Sequence, residues 1–235
     1  MNTEDRSASS RRRLFQGIGG MSGAALIALL SYRILRDLVY QKHLQIIPCA
    51  EWGALAPNHN APNEHGLFDP EHNPDGWQVY TTPLEHTLTT VVIHHSAIPL
   101  SDGPREIQQL HMRNLGFADI GYHFVVDAPG QVYEGRPLNV RGTHTRGHNT
   151  GTVGIVLLGN FVVHEPPVQQ IKALMTLIIY LRATYQITHL AGHHDFLPTE
   201  TVCPGANLEL RLPDIARDAG LKFGTDGYRK PSYAS

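Results

Sequence analysis

The sequence predicts an α/β fold: a single domain with a central mixed β-sheet flanked by helices. Apolar, β-branched runs such as "TLTTVVIHHSA" (87–97) and "GTVGIVLLGNF" (151–161) have the length and composition of strands. Between and after them, "PREIQQLHMRNLG" (104–116) and "PVQQIKALMTLIIYLRATY" (167–185) repeat their apolar residues at helical spacing. The segments "DIGYHFVVD" and "QVYEGRP" alternate as strands about the turn "APG", a hairpin. Strands and helices therefore interleave along the whole domain, which is the pattern of one sheet with helices packed on it.

A chain of 235 residues is long enough for one domain with a sizeable core plus extensions. The formal net charge of −2 carries no footprint of nucleic-acid binding, and no nucleic-acid partner is expected. Two cysteines, Cys49 and Cys203, are too few for a disulfide scaffold and allow one bridge at most. The 15 histidines are the compositional oddity, and several of them (His59, His65, His72) sit among Asn, Pro and Asp in a loop-like stretch.

Residues 1–45 read as a signal or membrane anchor plus linker. Arg11, Arg12 and Arg13 precede an apolar stretch from Leu14 to Tyr32, and Arg12-Arg13-Leu14-Phe15 resembles the core of a twin-arginine export signal. No small-x-small cleavage site follows, so an uncleaved anchor stands beside a removed signal, with membrane association through residues 14–32. A cytosolic helix is disfavoured, because apolarity all round leaves no face for water. The domain is expected to be exported, either periplasmic or extracellular, or anchored in the membrane with the domain outside.

The domain proper is expected over 46–222. It opens with "IIPCAEWGALAP", continues through a polar surface loop from about Pro57 to Gly76, and reaches its first strong strand at Thr87–Ala97. The next helix starts near Pro104, turns Ile107, Leu110 and His111 to one face, and stops at Gly116. After the hairpin comes the 151–161 run, apolar enough for a strand buried on both faces. An amphipathic helix over Val168–Tyr185, a short strand "ITHLAGH" and a helix "LPDIARDAG" complete the unit, and 223–235 reads as a loose tail.

Two segments end in a histidine pair, "VVIHH" (His94, His95) and "LAGHH" (His193, His194). Successive strand side chains point to opposite faces, so each pair offers one histidine to a given cleft, without fixing which. With Cys203 they make a His-His-Cys set of three protein ligands and an open fourth position, the pattern of a catalytic rather than a structural zinc. One thiolate and two neutral imidazoles suit Zn2+ better than magnesium or calcium.

The motifs "EWGA", "VVIHHSA", "IQQLHMRNLGFADIGYHFVVDAPGQVYEGRP", "GTHTRGHNTGTVGIVLLGNF" and "GHHDFLPTETVCPG" together resemble the N-acetylmuramoyl-L-alanine amidase (type 2 amidase) and peptidoglycan recognition protein family. The resemblance covers roughly Ile46 to Leu210. It implies a peptidoglycan recognition protein/amidase-like fold and zinc ligands at His94, His193 and Cys203, with His194 where arginine is usual. It implies catalytic roles for Tyr122 of "IGY" and for Thr201, two residues before the cysteine. Val156 stands where some relatives carry a glutamate, which points to the threonine-bearing branch. The implied substrate is peptidoglycan or a muropeptide, cut between N-acetylmuramic acid and L-alanine. His144 and His95 are the candidates for a general base. Asp119, Asp195 and Asn149 read as turn and supporting residues, and Trp52 as packing.

Three functions compete: an exported zinc amidase, a non-catalytic module that binds muropeptides, and a cytosolic amidase recycling wall fragments. The leader opposes the third. A Cys49–Cys203 bridge would remove a ligand and favour the second.

Overall fold

The computed structural model describes residues 44–64 and 78–229, together with Ile27, Ser31, Tyr32, Ile34 and Leu35. The arginine run of the leader, most of the apolar stretch behind it, His65, His72 and the tail beyond Arg229 lie outside the described residues. Among the described residues no helix is long and apolar enough to cross a membrane.

Seven strands form one mixed sheet: β1 (Ile46–Ile47), β2 (Thr90–His95), β3 (Phe124–Val126), β4 (Val132–Glu134), β5 (Thr152–Leu157), β6 (His189–Gly192) and β7 (Lys222–Phe223), in the order β1-β4-β3-β5-β2-β6-β7. From residue 44 on, the helices among the described residues are α1 (Cys49–Trp52), α2 (Leu84–Thr87), α3 (Pro104–Asn114), α4 (Val168–Tyr185), α5 (His193–Phe196), α6 (Ala206–Glu209) and α7 (Leu212–Ala219). Parallel pairing joins β2 to both β5 and β6, and β3 to β5; β3 and β4 are the antiparallel hairpin, in register Phe124↔Glu134 and Val126↔Val132. Every residue of β2 and β5 is buried, as the unbroken apolar run of β5 requires of a strand covered on both faces.

Helix α4 lays Leu174, Leu177, Ile178 and Leu181 into the core. Its Gln170 amide nitrogen donates to the carbonyls of Val126 (2.9 Å) and Leu158 (3.0 Å), pinning the helix start to the ends of β3 and β5. Helix α3 departs from the expected face. Ile107 and His111 are buried as expected, but Leu110 is exposed and Gln108 is buried instead. The Gln108 amide accepts from the Leu55 N–H (2.7 Å) and donates to the Leu55 carbonyl (3.0 Å), so it replaces a strand partner for that segment.

Two further expectations are corrected. Glu64, inside the stretch read as a surface loop, is buried in an ion pair with Arg136 at 2.6 Å. Phe223, read as the start of a loose tail, instead ends strand β7: Lys222 N–H donates to the Thr188 carbonyl (3.0 Å) and Gly224 N–H to the Leu190 carbonyl (2.9 Å).

Candidate metal centre

The centre lies where β2 and β6 end side by side. Strand alternation separates His94 from His95. The His94 ring is fully buried, with the rings of Tyr122 at 5.0 Å, His144 at 5.0 Å and His193 at 4.6 Å. His95 turns the other way, toward Phe161, whose backbone N–H it accepts at Nδ1 (3.2 Å).

The second pair obeys a different rule. Strand β6 stops at Gly192, which is level with Ile93 of β2, and His193 and His194 open the short helix α5. The strand alternation expected for this pair does not apply; the helical turn separates its two side chains instead. Asp195 fixes the start of that turn by accepting the Gly192 N–H at 2.7 Å. His194 ties the following loop back on itself: its N–H donates to the Cys203 carbonyl (2.7 Å), and its Nδ1 lies 2.8 Å from the Thr201 carbonyl. That fold-back carries Cys203 to the end of β2, where its sulfur accepts the His95 N–H (3.4 Å) and lies 3.7 Å from His94 Nδ1.

One ligating atom each from His94, His193 and Cys203 thus falls within 4.8 Å of the others. Both cysteines are free, so the alternative of a Cys49–Cys203 bridge is not formed; the Cys49 thiol donates to the Gly135 carbonyl at 3.3 Å. The donor set fits zinc on two counts beyond residue type. Nε2 of His193 is buried with no hydrogen-bond partner, a costly arrangement that a cation would relieve. The other nitrogen of His94, Nε2, is held at 3.1 Å by His144 Nδ1, leaving Nδ1 toward the thiol.

Electrostatics favour neutral imidazoles. Burial holds His94 well below the usual histidine range, with nearby histidines adding to the effect, and burial lowers His193 to about 4. Burial also pushes the Cys203 thiol up to about 12. The two imidazoles are ready ligands at neutral pH, whereas the sulfur becomes a thiolate only by giving up a proton when a cation binds.

A cleft of about 600 Å³ opens beside the centre, lined by Tyr122, His111, His144, His193, Arg146 and Thr201 among others. Burial raises the Tyr122 phenol far above its ordinary value, so it remains a proton donor. Thr201 Oγ1 accepts the Cys203 N–H at 3.1 Å, so its own proton points elsewhere. His144 sits against glycines: a Cβ on Gly142 or Gly154 would lie 2.6 or 2.5 Å from its ring. Asn149 fixes that turn by accepting the N–H groups of His144 and Thr145, each at 2.7 Å. Of the two histidines offered as a base, His95 faces Phe161 and His144 is engaged by His94.

Asp119 accepts the Ile120 N–H at 2.6 Å and Trp52 donates to the Glu134 carbonyl at 2.8 Å, both supporting contacts. Val156 packs with Ile107, Ile120 and Val125 in an apolar cluster. The sequence reading missed His111, which it took as a core position. Its ring lies 5.2 Å from that of Tyr122, and its Nδ1 accepts the Gly121 N–H at 2.9 Å. The available signal was a histidine on a buried helix face, which needs a polar partner. Arg136 was missed too; its Nε donates to the Ile120 carbonyl (3.0 Å), bracing the backbone that leads to Tyr122.

A family model described as N-acetylmuramoyl-L-alanine amidase matches residues 84–206. Peptidoglycan-recognition protein SC2 of Drosophila melanogaster is 37% identical over 137 residues, 54% of this chain and 73% of its own length. Among solved structures, the N-acetylmuramoyl-L-alanine amidase LysC from Clostridium intestinale superposes with a TM-score of 0.54 at 32% identity, over 62% of this chain and 93% of that one. Peptidoglycan recognition protein-LE, solved in complex with tracheal cytotoxin (a monomeric diaminopimelic acid-type peptidoglycan), gives 0.58 at 25%, over 72% and 92%.

Proposed function

The chain belongs to the N-acetylmuramoyl-L-alanine amidase family, and on that premise we propose that it is a zinc-dependent amidase. It hydrolyses the amide between the lactyl group of N-acetylmuramic acid and the L-alanine of the stem peptide. The observation that carries this reading is the convergence of His94, His193 and Cys203, with His193 Nε2 buried and unpartnered. These three residues would hold the zinc, which would supply a Lewis acid for the scissile carbonyl and a water of lowered pKa.

The chain's own residues do the rest. His144 holds His94 by its Nε2, so that Nδ1 is presented to the metal. Tyr122, kept protonated by burial, donates a hydrogen bond to the oxygen that gains negative charge as the carbonyl is attacked. Thr201 adds a second donor from the cleft wall, because its acceptor side is occupied by the Cys203 N–H. The cleft is large enough for a muropeptide segment and takes peptidoglycan or a muropeptide as substrate. The arginine-led apolar leader assigns the domain to the exported side, free or anchored through residues 14–32.

A second reading, a module that binds muropeptides without cutting them, is favoured by the relatives named recognition proteins. One experiment separates the two. Peptidoglycan is digested with the purified protein, with and without chelator, and again with Cys203→Ala. New L-alanine amino ends are expected only with zinc and the cysteine both present. Binding to peptidoglycan without new amino ends, zinc restored, would establish the second reading and end the first.

A further inference from the structure

The two sides of the centre are carried by different pieces of chain. His94 and its partner His144 belong to β2 and to the 141–151 loop, whereas His193 belongs to α5. An exposed ion pair between Arg146 and Glu200 joins the two sides at the rim, where water weakens it. A half-buried link comes from a third piece, the C-terminal segment. After β7 pairs with β6, the chain passes Gly227 so close to His189 that a Cβ there would lie 1.8 Å from its ring. It then places the Tyr228 ring edge-on to Phe196 at 5.4 Å (89°) and to His148 at 5.3 Å (68°). Phe196 and His148 are themselves 5.0 Å apart, closing a three-ring cluster.

Each ring in the cluster reports to a different part of the site. Phe196 is the last residue of the single turn that His193 begins. His148 precedes Asn149, the residue that fixes the backbone of His144 and Thr145. A four-residue helix has too few internal hydrogen bonds to hold itself, so its position depends on such packing. Edge-to-face aromatic pairs are directional, so they set an angle as well as a distance. The segment lies beyond the family-model match at 84–206.

We propose that residues 222–229 form a clasp, in which Tyr228 is a positioning residue that holds α5 against the 141–151 loop and so presents His193 to the metal. The proposal rests on the zinc reading, and its test separates the two. Zinc affinity of the full-length protein is measured by competition with a chromophoric chelator for the parent, Tyr228→Ala and Tyr228→Phe. In parallel, amide hydrogen exchange is followed in the metal-free proteins. Tyr228→Ala is expected to weaken zinc binding at least about tenfold, a typical loss when support behind a ligand is removed. It should also expose the amides of 193–197 and 145–149 while β2 keeps its protection.

Tyr228→Phe keeps the ring and should stay within about twofold of the parent, because the phenol oxygen has no hydrogen-bond partner. Unchanged affinity and unchanged exchange in Tyr228→Ala would overturn the clasp. So would failure of Tyr228→Phe to restore binding, or a loss of protection spread evenly through β2. If Tyr228→Ala does not fold, Tyr228→Leu, which fills the space without an aromatic edge, takes its place under the same criteria. A parent that binds no zinc would defeat the metal reading alone, and the exchange data would still decide the clasp.

Discussion

The same dipeptide, His-His, occurs twice at the centre and is held in two unlike ways. In β2 the pair lies in a strand that pairs with β6 as far as Ile93 and with β5 throughout, and His94 is fully buried with both ring nitrogens in defined company. In α5 the pair opens one turn of helix, and the buried Nε2 of His193 has no partner. One histidine is fixed by the sheet on its own, and the other has a nitrogen that, on the zinc reading, only a bound metal would satisfy. Replacing each in turn should expose that difference. His94→Ala leaves a cavity in the sheet and strips His144 Nδ1 of a partner, so the metal-free protein should lose about 2–4 kcal/mol. His193→Ala removes a half-buried ring with an unsatisfied nitrogen and should change metal-free stability by no more than about 0.5 kcal/mol. Both should abolish zinc binding. Urea denaturation in chelator reads the first effect, and equal losses in the two variants would erase the comparison.

Acid should act on the sheet side in the same sense. His111 and His123 are buried, and burial holds both at about 4. Their folded-state pKa values lie below the ordinary 6.5, so the unfolded chain binds more protons between these values. The stabilisation from keeping them neutral is complete above pH 6.5 and is lost as pH falls from there toward 4. Between pH 7.5 and 5.5 each should cost on the order of 1 kcal/mol. Urea midpoints at the two values check this, and the His111→Gln, His123→Gln double variant should make the profile shallower, the slope that remains coming from His94 and His193.

His144 tests the sheet side without touching a ligand. Its ring is wedged beside Gly142 and Gly154 and grips His94 Nε2. His144→Ala should weaken zinc affinity about 10- to 100-fold. His144→Gln, which can accept the same hydrogen bond, should recover part of it. A variant with parent affinity would show that strand β2 alone orients His94.

The comparison also explains what could be read in the sequence. The buried strand over 152–157 and the helix over 168–185 follow from unbroken apolarity and helical spacing, both local properties. The separation of His94 from His95 was legible for the same reason, since a period of two needs only the neighbouring residue. The choice of His94 over His95 was not, because it depends on which face meets Cys203 more than a hundred residues later; the family resemblance supplied it. At His193 and His194 the strand rule did not apply, since β6 ends one residue earlier than the apolar run suggests. Glu64, Arg136 and the clasp were hidden for a further reason. Glu64 sits in a polar, Pro-rich stretch and Tyr228 among Gly, Lys and Pro, and neither has a periodic pattern to reveal the long-range partner it packs against.

The smallest effect concerns how the helical pair is attached to the sheet. Asp195 accepts the Gly192 N–H at 2.7 Å, so the carboxylate three residues into the turn reaches back to the last residue of β6. Such a bond satisfies a backbone donor at the helix start and sets the angle at which the chain leaves the strand. Asp195→Ala should cost about 1 kcal/mol, and if that strain falls on the angle of α5, zinc affinity should drop about fivefold. Asp195→Asn retains an oxygen acceptor and should recover most of the loss. Because β2 and His144 do not touch this bond, exchange protection at residues 90–95 should be unchanged in both variants. Parent zinc affinity in Asp195→Ala would mean that the rings of Phe196, His148 and Tyr228 hold α5 without help from its first turn.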